Sequence, residues 1–136
     1  MKRISINSPC PCGSRDKYKK CCQKFHKGAL VPNPLLLMKS RYSAYAIGNS
    51  KYIIDTTHPN SSEYMEDKTL WQNSILEFSK NTQFISLEIL EYIPPKNNIA
   101  YVTFKAQFQD SKMIEKSRFL LENGKWLYEN AVFIEK

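Results

Sequence analysis

Four cysteines fall within thirteen residues, in the stretch Cys10-Pro11-Cys12-Gly13-Ser14-Arg15-Asp16-Lys17-Tyr18-Lys19-Lys20-Cys21-Cys22, and the rest of the 136-residue chain has none. Thiols this close together can converge on one point, which leaves disulfides or a metal as the organising chemistry. Disulfides suit an oxidising compartment. Met1 to Ser8 carries Lys2 and Arg3 but no apolar run of about 7 to 15 residues behind them, so no secretory signal is expected and the expected location is cytoplasmic. The neighbours Cys21 and Cys22 are also awkward to bridge to each other. A zinc ion accepts four thiolates at about 2.3 Å and keeps no open position when its role is structural. Cys10, Cys12, Cys21 and Cys22 are therefore read as the ligands of one structural zinc, with an iron–sulfur cluster or free thiols as the alternatives. His26, four residues past Cys22, can in principle replace a thiol. Because four cysteines already complete the shell, the simpler expectation is an exposed histidine beside the site.

Charge is partitioned in the same way. The net charge is +7, and residues 1–30 carry it: Lys2, Arg3, Arg15, Lys17, Lys19, Lys20, Lys24 and Lys27 face a single acid, Asp16, while residues 31–136 balance to zero. A basic cysteine module at 1–28 and a neutral body at 29–136 are thus expected. The longest aliphatic run, Leu35 to Met38, is far short of the roughly 20 residues of a membrane span, so no membrane partner is expected. Since the body has no cysteine, the two modules are expected to melt separately.

The body changes period halfway along. Asn33 as N-cap and Pro34 at the first helical position predict a helix to Ile47, stopped by Gly48, with Leu35, Met38, Tyr42, Tyr45 and Ala46 as its core stripe. A second helix is predicted from about Lys51 to Thr57, capped by Asn49 or Ser50. A third, around Asp67 to Lys80, places Trp71, Ile75 and Phe78 on one face. From Gln83 the period is two. Ile85, Leu87 and Ile89 share a face, and so do Val102, Phe104, Ala106 and Phe108. Pro94 to Asn98 is read as the turn between these strands. A third strand runs from Met113 to Leu121, Glu122 to Lys125 is a hairpin turn, and a fourth strand runs from Trp126 to Phe133. Three helices followed by four antiparallel strands predict an α+β domain with helices on one face of a curved sheet.

Several blocks, in order, carry a resemblance: Cys10 to Ser14, Leu37-Met38-Lys39-Ser40-Arg41-Tyr42-Ser43-Ala44-Tyr45, Thr57-His58-Pro59, Glu115 to Phe119, and Glu122-Asn123-Gly124-Lys125-Trp126. The cysteine stretch resembles the SEC-C zinc motif, named from the C-terminus of the SecA translocation ATPase. Nearly the whole chain resembles the YchJ-like bacterial proteins. That resemblance implies an N-terminal SEC-C finger on a cone-shaped domain like nuclear transport factor 2 (NTF2), with a curved four-stranded sheet around the helices. Some members carry a second SEC-C motif after the last strand, whereas no cysteine follows Cys22 here, so a two-zinc mode is not expected of a monomer. In SecA the similar motif is associated with the chaperone SecB and with ribosomes, which implies a protein or ribosomal partner. The fold admits a homodimer through exposed sheet faces.

Three functions compete. In the first, the basic surface of Arg15, Lys17, Lys19, Lys20 and Lys24 meets an acidic protein or ribosomal partner without catalysis. In the second, those side chains contact RNA phosphates while Tyr18 and Phe25 stack on bases, although both aromatics more naturally form the finger's own core. In the third, the mouth of the cone is a pocket with Arg41, His58, Glu115 and Ser117 as its polar residues. Three of these have another role open to them: His58 as a cap at the end of the second helix, Glu115 paired with a neighbouring lysine, Arg41 solvated or tying helices to sheet. There is no Gly-x-Ser-x-Gly, phosphate-binding glycine loop or His-Glu-x-x-His to demand an enzyme, so the non-enzymatic role is favoured.

Overall fold

The structure, a computed structural model, describes residues 4–136; Lys2 and Arg3 of the basic segment lie outside the described residues. A 3-10 turn, Tyr18–Lys20, and a one-turn helix α1, Gln23–His26, follow the first cysteine pair. Three longer helices come next, α2 (Pro34–Ile47), α3 (Ser50–Asp55) and α4 (Lys68–Asn81). Strands β1 (Phe84–Lys96), β2 (Ile99–Phe108), β3 (Lys112–Glu122) and β4 (Lys125–Glu135) form one antiparallel sheet in the order β1-β2-β3-β4. This is the predicted α+β arrangement.

Helix boundaries follow local chemistry. The Asn33 side chain accepts from the Leu36 amide at 2.9 Å, Pro34 opens the first turn of α2, and Gly48 at φ +78° closes it. Asn49, rather than Ser50, caps α3 through the Tyr52 amide at 3.1 Å, and Asp67 caps α4 through Leu70 at 3.0 Å. Each such cap contributes about 1 kcal/mol.

Helix α2 is covered almost all round, which a single core stripe does not anticipate. Met38, Arg41, Tyr42 and Tyr45 face the sheet, while Ser40, Ser43 and Ile47 face the cysteine segment; Leu37, Ser40, Ser43 and Ala44 are wholly buried. Along α4, Trp71, Ile75 and Ser79 are buried, whereas Phe78 sits at the rim, 44% exposed, with its ring edge-on to Tyr45, Phe84 and Phe108.

Two expectations for the sheet are corrected. Strand β1 continues through Pro94 and Pro95 to Lys96, so the turn is only Asn97-Asn98, both left-handed at φ +55° and +64°. Asparagine tolerates that region, and two such residues match the twist of a two-residue hairpin. The prolines are accommodated because β1 is an edge strand. Ile85 does not share the inward face: register shifts after Phe84 and after Ile89 put Phe84, Leu87, Ile89 and Tyr92 against the core and leave Ile85 59% exposed. Strands β2 and β3 alternate as predicted, burying Ala100, Val102, Phe104 and Ala106, then Glu115, Ser117 and Phe119.

After α3 the chain runs beside β4. Thr57 forms a parallel bridge with Tyr128, and the Tyr128 backbone bonds to Thr56 and His58 at 2.9 and 2.8 Å. That contact clamps the end of α3 against the last strand and brings Arg41, Thr57 and Tyr128 together.

Candidate metal centre and the cavity of the cone

The cysteine segment is a small hairpin. Pro9 pairs with Lys17, the Cys10 amide donates to Asp16 O at 2.8 Å, and the Tyr18 amide donates to Ser8 O at 2.8 Å. Gly13 turns the Cys10–Gly13 corner at φ +84°, and its amide donates to Cys10 O at 3.2 Å. This geometry returns the chain so that Cys21 and Cys22, at the start of α1, meet Cys10 and Cys12.

All four thiols are free, and their sulfurs lie within 4.8 Å of one another. Cys12 and Cys21 are 3.5 Å apart, and Cys21 and Cys22 are 3.9 Å apart. A tetrahedral ion with bonds of about 2.3 Å sets its sulfur ligands about 3.8 Å from each other. The cluster therefore has the spacing and donor set to hold a metal ion. Hydrogen bonds from Cys12 and Cys22 hold the Cys10 thiol far below its usual range, while Cys10 in turn pushes Cys12 up to about 11 and Cys22 higher still. Those held protons must leave when a cation binds, so affinity for metal rises with pH.

Hydroxyls serve the sulfurs from both sides. Ser14 Oγ lies 3.1 Å from Cys21 Sγ. Ser43 Oγ, on α2 and wholly buried, donates to Cys22 Sγ at 3.2 Å and lies 3.4 Å from Cys10 Sγ. Ser43 is thus a residue through which the cone hydrogen-bonds to the cluster, beside the apolar contact of Ile47, and nothing in its spacing from the cysteines marks it.

His26 is neither a ligand nor exposed. Its Nε2 lies 2.8 Å from Ser40 O and its Nδ1 2.7 Å from the Tyr18 hydroxyl. A carbonyl only accepts, so Nε2 carries the hydrogen and Tyr18 donates to Nδ1. The ring also packs against Tyr52 at 4.7 Å. Burial lowers its pKa and keeps this neutral form. His26 therefore pins the finger to α2.

Arg15, Lys17, Lys19, Lys20 and Lys24 are all exposed on the finger. Tyr18 is buried beside the cysteines, whereas Phe25, also buried, belongs to the core of the body and not to a separate finger core. Neither ring is free to stack on a base.

Three of the four predicted pocket residues come together. Arg41, Glu115 and Ser117 line an open-mouthed cavity of about 690 Å³ between helices and sheet. Ser117 Oγ donates to Glu115 Oε2 at 2.6 Å, and the Tyr128 hydroxyl lies 3.1 Å from the same oxygen and 2.9 Å from Glu63 Oε2. Burial raises the Glu115 pKa, and the charge of Glu63 adds to the effect. Arg41 Nη1 donates to Ile53 O, Thr56 Oγ1 and Thr57 Oγ1 at 3.1, 2.8 and 3.1 Å, and the guanidinium covers the Tyr128 ring at 4.6 Å. It ties helices to β4. His58 is not among the residues lining this cavity: its Nε2 pairs with Glu122 at the β3–β4 hairpin and its Nδ1 accepts from the Asn60 amide. It caps the turn after α3 rather than the helix itself. Glu63 escaped sequence reasoning because it lies in the loop before α4, where no periodicity applies; Tyr128 lies on the inward face of β4 with Trp126, and the alternation of that strand could have found it.

The fold and site together define a SEC-C cysteine finger seated on an NTF2-like α+β domain. Residues 33–131 match the model of the YchJ middle NTF2-like domain and residues 7–24 that of the SEC-C motif, so the chain belongs to the YchJ family. It is similar to a UPF0225 protein of Streptomyces coelicolor, 32% identical with 93% of this chain and 97% of that one covered. A UPF0225 protein of Serratia proteamaculans is 38% identical, with 88% and 79% covered. Among solved structures, SEC-C motif containing proteins from Rhodopseudomonas palustris (27% identity, TM-score 0.75, 91% and 97% covered) and Psychrobacter arcticus (26%, 0.77, 91% and 81%) superpose along most of the chain. An NTF-2 like protein from Silicibacter pomeroyi (14%, 0.58, 74% and 90%) shares the fold.

Proposed function

We propose that this chain is a non-enzymatic, zinc-binding interaction protein whose basic finger contacts an acidic protein or ribosomal partner in the cytoplasm. The observation that carries the reading is the finger's division of labour. Its sulfurs and both aromatics are turned inward or largely covered, while Arg15, Lys17, Lys19, Lys20 and Lys24 are all turned outward. Four thiolates with no open position favour a structural zinc, and dense cationic charge steers association with an acidic surface. The burial of Tyr18 and Phe25 removes the stacking platform that single-stranded RNA uses, which favours a protein surface over RNA. No membrane partner is included; none of the helices among the described residues is long and apolar enough to cross a bilayer.

The test is binding to ribosomes and to an acidic protein with Lys17, Lys19, Lys20 and Lys24 changed to Glu, at two salt concentrations and with RNA as competitor. Loss of binding in the variant, steep weakening by salt and indifference to RNA support the reading. Binding that survives the four charge reversals refutes it, and competition by RNA moves the assignment to nucleic acid.

A further inference from the structure

The cavity of the cone has the size of a small-molecule site, for which roughly 300–1,000 Å³ is usual. Phe84, Phe104, Phe108 and Phe119 give it apolar walls, and its polar groups are gathered at one end. A count of hydrogens at that end shows what is missing. A tyrosine hydroxyl has one hydrogen, yet Tyr128 faces carboxylate oxygens of both Glu63 and Glu115 and can donate to only one. Ser117 has given its hydrogen to Glu115. Asn130 Oδ1 accepts from the amide and hydroxyl of Ser62, and among the described residues its Nδ2 donates to neither carboxylate. The nearest buried cation, Arg41, directs Nη1 at three oxygens on and after α3 and lies across the ring of Tyr128 rather than at its hydroxyl. Two carboxylates and a shared hydroxyl thus present more acceptor sites than hydrogens where the aromatic cavity meets the loop before α4.

We propose that this cavity binds a small organic amine, its ammonium head held by Glu115, Glu63 and the Tyr128 hydroxyl and its apolar or aromatic body held against Phe104, Phe108 and Phe119. An ammonium supplies hydrogens to acceptor sites that Ser117 and Tyr128 leave unfilled and pairs with the carboxylate charge, and the rings favour a cation close to their faces. Glu115 is 8% exposed, so its interaction with a charged head is little screened by solvent. The groups facing it are Glu63 from the loop before α4, Arg41 and Tyr45 from α2, Ser117 on its own strand and Tyr128 from β4; the exposed Lys136 also lines the cavity. The raised pKa of Glu115 sets the direction of the pH dependence. Amine binding requires the carboxylate, so it strengthens as pH rises through the titration of Glu115 and weakens in acid. The proposal stands apart from the finger's role and neither depends on it nor supports it.

The experiment is calorimetry on the full chain, purified without chelators, with 2-phenylethylamine, hexylamine, 2-phenylethanol and 3-phenylpropanoate as probes. The amines are expected to bind at one site per chain, about tenfold or more tighter than the alcohol, with no binding of the carboxylate. Glu115→Gln is expected to weaken amine binding about tenfold or more. Glu63→Gln alters an exposed residue at the mouth, leaves the fold intact and is expected to weaken binding severalfold, so it carries the test if the Glu115 variant does not fold. Failure of both amines to saturate a site, equal or tighter binding of the alcohol or carboxylate, or amine binding unchanged in Glu63→Gln and in any folded Glu115→Gln would each overturn the proposal.

Discussion

The cysteine cluster and the cone cavity lie against opposite faces of α2, one under Ser40, Ser43 and Ile47 and the other against Met38, Arg41, Tyr42 and Tyr45. Their construction differs. The cluster draws its four sulfurs from thirteen consecutive residues and borrows one hydroxyl from the helix. The polar end of the cavity is assembled from Arg41, Glu63, Glu115, Ser117 and Tyr128, which come from one helix, one loop and two strands. A metal site can be written locally because one ion replaces many weak contacts with a few strong ones. A cavity cannot, because its walls exist only after the sheet has closed over the helices. The comparison also shows that the finger is not simply appended. Phe25 is part of the cone's core, and His26 and Ser43 bind the finger to α2.

Metal removal should test that attachment with the largest effect. Zinc contributes about 10 to 16 kcal/mol in isolated finger peptides, so chelation should unfold residues around the cysteines. Because Phe25 would leave the core with them, the body should also lose about 3 to 5 kcal/mol, the usual cost of emptying a phenylalanine site. Thermal melts followed by the fluorescence of Trp71 and Trp126, with and without chelator, would show the midpoint falling. Two independent transitions with an unchanged body midpoint would restore the separately melting modules expected from composition. Metal analysis of the untreated protein should find one zinc per chain.

A finer division between the two faces of α2 comes from two hydroxyls. Ser43→Ala removes the donor to Cys22 and should lower metal affinity about 10- to 100-fold, read by competition with a chromophoric chelator. Ser117→Ala, which acts on Glu115 alone, should leave metal affinity unchanged. Equal effects of the two variants would mean that the faces are coupled through the helix.

The smallest expected effect lies in the cavity and depends on pH. Glu115 has a raised pKa in the folded chain, so the native state holds its proton to higher pH than the unfolded state does. Its contribution is fully present below about pH 4.5 and is lost as pH rises through the folded value. Glu115→Gln cannot titrate, and its stability should therefore be flatter with pH, approaching or exceeding that of the parent near neutrality by about 1 kcal/mol. Denaturant melts of both proteins from pH 4 to 8 check this. Parallel curves would show that folding does not shift the titration of Glu115.

Cysteine spacing, charge partition and the change of period from 3.6 to 2 were sufficient by themselves to locate the cysteine cluster, the basic surface and every helix and strand of the body. Those features are local: a cap, a two-residue turn or a four-thiol hairpin depends on residues a few positions apart. Tertiary structure decided the rest. The bulges in β1 turned Ile85 outward, and the closing of β4 against the end of α3 brought Tyr128 to Arg41, Glu63 and Glu115. It also decided that His26 and Phe25, which composition assigns to a separate finger, belong to the contact with the cone. In each case the partner lies too far along the chain for spacing to reveal it, and only packing, which buries a polar group together with whatever can satisfy it, brings the two together.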